Sequence, residues 1–211
     1  MLFWLLVSLL IVLSGAAAAG TVYALGEKRR RELPSGQRRA LPSAGDRLIE
    51  RTMRDLRVGD VVTIDGRDFL CEGVVHYDED GHRWAGGRLV DGSETKWGVI
   101  GIERTGSTVV RLMNQLDSHE VTGYPPEVLV LDETRYSLDK RGTATCKITG
   151  DAGSVGGGKQ GRPEGSVERC RWWLYGAPGD DTAIVEQWGP DFRVLRGKKV
   201  SADTIDLIPG S

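Results

Sequence analysis

The chain opens on its longest uncharged stretch and then changes hydrophobic period. Leu2–Leu25 is 24 residues without a charge. As a helix it would reach about 36 Å, enough for a hydrocarbon core of about 30 Å. From Val58 onward the apolar residues come instead in short runs divided by turn signals. Val61–Ile64 leads into Asp65-Gly66, a hairpin-type turn. Phe69–Tyr77, the polar tip Asp78-Glu79-Asp80-Gly81, Arg83–Val90, Asp91-Gly92, Thr95–Glu103, Gly106 and Thr108–Met113 follow. After an irregular link, Asn114–Pro126, the runs resume: Val128–Leu131, Tyr136–Leu138, Ala144–Thr149, Val167–Tyr175, Ala183–Trp188, Phe192–Leu195 and Thr204–Ile208. No helix-length amphipathic stretch interrupts them. The pattern predicts a mainly β protein, an antiparallel meander preceded by one transmembrane helix.

The two runs of strands resemble each other. Ile64-Asp65-Gly66-Arg67-Asp68-Phe69 opens the first, and Leu131-Asp132-Glu133-Thr134-Arg135-Tyr136 opens the second. Each half then carries Arg-Trp (Arg83-Trp84; Arg171-Trp172) and a strand bearing Trp and Glu (Trp97 to Glu103; Glu186 to Trp188). A short apolar-Arg strand closes each (Val110-Arg111; Phe192-Arg193). This reads as a weak two-fold internal repeat, forming a curved sheet, a sandwich or a partly closed barrel.

Charge divides the chain into three. Residues 1–25 carry none; residues 26–54 carry nine Lys/Arg against four Asp/Glu; residues 55–211 hold the balance, a net of -7 in a total of -2. The expected organisation is an anchor over 1–25, a basic Pro/Gly-containing linker over 26–54, and an all-β domain over 55–208. The basic cluster Lys28, Arg29, Arg30 and Arg31 follows the apolar segment directly, and no Lys or Arg precedes it. By the positive-inside rule the domain is then cytoplasmic. Arg38 and Arg39 add a second basic pair that, with the first, would attract anionic headgroups. The competing reading is a signal peptide cleaved at Ala16–Ala19 and an exported domain; the missing positive n-region speaks against it. Cys71, Cys146 and Cys170 form no C-x-x-C and suit a reducing compartment. An acidic domain argues against nucleic-acid binding.

Leu56-Arg57-Val58-Gly59-Asp60-Val61-Val62, Phe69, His76-Tyr77, Trp84, Leu89-Val90 and Trp97 occur in an order that resembles the start of a bacterial family, domain of unknown function 4178. Trp173-Leu174-Tyr175, Ile184-Val185-Glu186-Gln187-Trp188 and Phe192 are similar to its second half. The chain departs from the family pattern at Trp97-Gly98-Val99 and in its long glycine loop. The resemblance implies no activity. It implies a context, since relatives tend to occur beside envelope-stress proteins of the phage-shock type and polyamine-synthase-like proteins.

Several patterns carry the look of chemistry. Gly153-Ser154-Val155-Gly156-Gly157-Gly158-Lys159-Gln160 is one residue short of a phosphate-binding loop, with Gln160 where a Mg²⁺-binding hydroxyl belongs. Arg162-Pro163-Glu164-Gly165 cannot start the helix such a loop needs, so Gly150–Gly165 reads as a flexible, dispensable insertion and no nucleotide or other cofactor is expected. His76, Asp78, Asp80 and His82 offer metal-type donors around one turn, yet Asp and Gly are also what a solvated hairpin tip requires. Trp84, Trp97 and Trp172, with Glu103 and Glu186, are the ligand-binding candidates. Trp172 and Trp173 are adjacent in a strand and must face opposite sides, either a core on both or one exposed binding aromatic. For the two glutamates, cross-strand pairing with Arg competes with acid–base work.

The expectation is therefore a membrane-anchored, non-enzymatic binding or scaffold module in an envelope-associated complex. The alternative is a sensor or enzyme for a small cationic ligand such as a polyamine, which an acidic domain would attract.

Overall fold

Two-residue turns with both central residues at positive φ close three of the local hairpins, a geometry that matches the twist of paired strands. Asp65-Gly66 (φ 51° and 76°), Asp80-Gly81 (51° and 84°) and Asp132-Glu133 (45° and 67°) all have it. The computed structural model describes residues 51–103, 109–116, 123–153, 155 and 164–210, all within one compact unit, Glu50–Ser211. The second unit, Met1–Ile49, lies outside the described residues, and with it the expected span Leu2–Leu25 and the basic residues Lys28 to Arg39. Among the described residues no helix is long and apolar enough to cross a membrane.

Eleven strands form one antiparallel sheet. They are β1 Val61–Ile64, β2 Arg67–Glu79, β3 His82–Asp91, β4 Glu94–Ile100, β5 Val109–Gln115, β6 Val128–Leu131, β7 Thr134–Gly150, β8 Val167–Gly176, β9 Asp181–Trp188, β10 Asp191–Ser201 and β11 Ile205–Ile208. Their order is β11-β1-β2-β3-β4-β5-β10-β9-β8-β7-β6, and β2 also pairs with β7. That extra seam sets Val75 opposite Ile148 and Tyr77 opposite Cys146. Together with the β5–β10 seam it brings the sheet back on itself and partly closes it into a ring.

The strand boundaries differ from the hydrophobic pattern where polar residues sit inside a ladder. Tyr136–Leu138 and Ala144–Thr149 belong to one strand, β7, because the polar stretch between them pairs with β8 across an irregularity at Leu138/Lys140. Asp78 and Glu79 are strand rather than tip, and the next turn centres on Gly92-Ser93, since Asp91 pairs with Glu94. β10 continues past Leu195 to Ser201 because β5 lies beside it.

Alternation along the strands supplies two buried faces. Inside the ring lie Val75, Tyr77, Trp84, Trp97, Met113, Cys146, Cys170, Trp172 and Trp188. Outside it, Val62, Phe69, Cys71 and Leu89 pack beneath Met53 and Leu56, while Leu131, Tyr136, Trp173 and Val185 pack elsewhere. Trp172 and Trp173 thus face opposite sides and both are buried. Residues 51–54, the described part of the expected linker, lead here into a short 3-10 turn, Met53–Asp55. It is held by Asp60, which accepts from Arg51 Nη1 at 3.0 Å, Arg57 N at 2.7 Å and Gly210 N at 2.9 Å. Burial opposes the Asp60 charge, but these donors win and hold its carboxyl below the usual range.

The beginning of the glycine insertion corrects the expectation of a dispensable loop. Ala152 and Val155 are buried in the ring interior, and Asp151 N donates to Glu72 O at 2.8 Å. Arg88 pairs with both Glu72 and Asp151. A Cβ on Gly73 would overlap the Asp151 backbone, so that glycine admits the crossing. Residues 156–163 lie outside the described residues.

Candidate functional site

The chemistry inside the ring begins with strand geometry. On β9, Ile184, Glu186 and Trp188 alternate inward. Trp188 pairs with Asp191 across the Gly189-Pro190 turn, so the register sets Arg193 of β10 directly opposite Glu186. The two meet in a buried ion pair, with Arg193 Nη2 2.5 Å and Nε 3.0 Å from Glu186 Oε2. Trp188 Nε1 donates to the same oxygen at 2.9 Å. Tyr77, from the far side of the β2–β7 seam, donates its hydroxyl to Glu186 Oε1 at 2.8 Å. Arg193 Nη2 also reaches the Tyr77 hydroxyl at 3.2 Å.

Aromatic rings pack around this network. The Arg193 guanidinium lies 4.1 Å from the Trp97 ring centroid, a cation–π contact. Trp84 stacks on Tyr77 with centroids 5.1 Å apart, and Trp172 meets Trp84 edge-on at 5.4 Å. Burial and the neighbouring Glu186 charge push the Tyr77 hydroxyl well above the ordinary tyrosine range, so it stays a donor. Burial disfavours the Arg193 charge, but Glu186 and Tyr77 outweigh it and hold its pKa above the ordinary value.

Four of the five ligand-binding candidates, Trp84, Trp97, Trp172 and Glu186, therefore share one interior. Glu103 does not join that network: its Oε1 accepts from Arg111 Nη2 at 2.5 Å, and Arg111 is itself buried on β5. Both glutamates thus hold the arginine pairing weighed for them. Of the four metal-type donors around the β2–β3 turn, Asp78 and His82 are engaged elsewhere and Asp80 is exposed. Asp78 pairs with Arg83 and accepts from Gly81 N, while the His82 ring lies 3.4 Å from Ile102 O. His76 is exposed by surface area, yet partial burial and then the Lys147 charge lower its pKa. Among the described residues no three His, Cys, Asp or Glu side chains come together as metal ligands.

Sequence reasoning missed Tyr77 as a partner of Glu186, since 109 residues separate them and only the ring seam joins them. An arginine partner for Glu186 was expected, but which one was not: the Gly189-Pro190 turn, flanked by the pair Trp188 and Asp191, sets Arg193 opposite it.

What the geometry can do follows from these bonds. Both Glu186 oxygens are engaged, and Arg193 occupies the place between carboxylate and indole where a ligand cation would sit. The arrangement binds itself together. Fold and site define an all-β domain whose sheet partly closes around an aromatic and ion-paired interior. Residues 57–202 match the family model described as Domain of unknown function (DUF4178), and the chain belongs to that family. No curated protein and no solved structure matches it.

Proposed function

We propose that this chain is a membrane-anchored, non-enzymatic binding or scaffold module acting in an envelope-associated complex. Leu2–Leu25 is the anchor, the linker up to residue 49 forms the basic tether, and the β domain lies on the cytoplasmic side. One observation carries the scaffold reading: the conspicuous residues of the interior, Glu186, Arg193, Tyr77 and Trp97, are spent on one another. An interior whose charged groups bond to one another leaves the outer surfaces to meet a partner.

The proposal includes a duplicated origin for the two five-strand runs. The pairing register supports it. Superposing the β1–β2 and β6–β7 hairpins equates Ile64 with Leu131, Phe69 with Tyr136, and the irregularity after Cys71 with that after Leu138. Following the ladders onward equates buried Arg111 with buried Arg193. The same register sets Trp172 with Gly86 and Glu186 with Val99, so those resemblances in sequence are not positional.

A second reading is a site for a small cation such as a polyamine, favoured by the net charge of -7 over residues 55–211. With Arg193 in the interior place, such a ligand would bind on the outer surface.

The test is a pair of C-terminal fusions in a bacterial host, one reporter active only outside the cytoplasm and one fluorescent only inside. Fluorescence with an uncleaved N-terminus is expected. An active exported reporter, or a mature chain beginning near Gly20, would reject the topology. A thermal-shift series on residues 46–211 with polyamines separates the two functional readings, because a saturable rise in Tm favours the ligand.

A further inference from the structure

The outer face of the ring carries an unexplained basic groove. Its residues come from three neighbouring strands, with Thr143 on β7 and Gln187 on β9 both directly opposite Arg171 on β8. Arg169 lies two positions along β8 and projects from the same face. With Gly189 these side chains line a groove of about 430 Å³.

The arginines differ from most others in the fold. Arg51, Arg67, Arg83, Arg88, Arg111, Arg141, Arg193 and Arg196 are each ion-paired with a carboxylate. Arg169 and Arg171 are exposed, and among the described residues neither has an ion-pair partner. Lys147, on the same face of β7, extends the positive charge toward β2. This local excess sits on a domain whose net charge is negative, so nonspecific attraction of anions by the whole molecule does not account for it.

We infer that the Arg169–Arg171 groove binds a phosphate-type oxyanion. Two guanidinium groups two residues apart on one strand face are within reach of one compact dianion, and each offers paired N–H donors that match its oxygens. The Thr143 hydroxyl and the Gln187 amide stand beside them as neutral hydrogen-bonding groups. The same chemistry is presented by a free phosphate or phosphomonoester and by a lipid headgroup. The inference rests on the groove alone and does not depend on the anchor or on the scaffold reading.

Isothermal titration of the full-length chain in neutral detergent, with inorganic phosphate and with glycerol 3-phosphate at fixed ionic strength, tests it. Flotation with phosphatidylcholine vesicles, with and without phosphatidic acid, tests the lipid source. Arg171→Gln should weaken binding roughly tenfold or more, and Arg169→Gln/Arg171→Gln should abolish it. Arg135→Gln, which removes an exposed charge from another part of β7, should leave it unchanged. Thermal unfolding of each variant checks folding, and an unchanged Tm is expected for these exposed positions. Saturable binding of the soluble probes, lost in the double variant, supports a free phosphate or phosphomonoester. Phosphatidic-acid-dependent flotation lost in the double variant, with no binding of the soluble probes, supports a headgroup. Equal loss on Arg135→Gln, equal response to chloride, or no probe bound by the wild type overturns the inference.

Discussion

At the scale of single residues, the buried Glu186–Arg193 pair is the feature most sensitive to substitution. A paired charge inside a protein gains little over an apolar isostere, but an orphaned one is costly. Arg193→Met leaves the Glu186 carboxylate with only Tyr77 and Trp188 as donors. It should lower unfolding free energy by about 3–5 kcal/mol in urea titration. Glu186→Leu/Arg193→Met should recover much of that loss. A single variant within about 1 kcal/mol of wild type would show that the network is solvated. Asp60 supplies the pH dependence. Its folded pKa lies below the ordinary value of 3.8. Its stabilisation is therefore full above the unfolded value and lost as the pH falls through the folded one. Asp60→Asn should be less stable than wild type at pH 7, and the gap should close as the pH drops below 3.8. A gap that stays constant to pH 2 would assign the clamp to hydrogen bonding alone.

At the scale of elements, the hairpins differ in how well their turns suit their residues. Asp65-Gly66 and Asp80-Gly81 place glycine at the second left-handed position, where no Cβ opposes it. The β6–β7 turn places exposed Glu133 there, at φ 67°. That conformation costs a non-glycine residue roughly 1 kcal/mol. Glu133→Gly should therefore raise Tm by about 2–4 °C in a domain of this size. The reverse exchange, Gly66→Glu, should lower it by a similar amount. Calorimetry that finds Glu133→Gly neutral or destabilising would mean Glu133 makes a compensating contact.

At the scale of the whole molecule, the ring interior is completed by a segment that the sequence presents as an insertion. Ala152 and Val155 enter the core beside the indoles, and Gly73 gives the chain room to cross β2. Val155→Asp should cost about 3 kcal/mol or more, an unpaired charge forced into the core. Replacing residues 156–163 by a short Gly-Ser link should change stability by under about 1 kcal/mol, because closure entropy varies slowly with loop length. Equal damage from both changes, measured by urea unfolding, would mean that the later residues are also part of the core.

Period-2 alternation and Asp-Gly turns were enough to place most of the strands though not all of their ends, since both signals are local: a side chain's face depends on its parity, and a two-residue turn fixes its own register. Val61–Ile64 and Val128–Leu131 could be read to the residue, and an arginine partner for Glu186 was expected, though the register that selects Arg193 was not. The family pattern was legible for the same reason, as an order of short motifs. Tyr77 on Glu186, Val155 in the core and the shared interior of Trp84, Trp97 and Trp172 were decided by the β2–β7 and β5–β10 seams. Those seams join segments far apart in the chain, and no local period encodes which strand a meander meets when it curls. That Arg169 and Arg171 find no ion-pair partner among the described residues was likewise tertiary, because a sequence shows which charges exist but only the fold decides which of them pair.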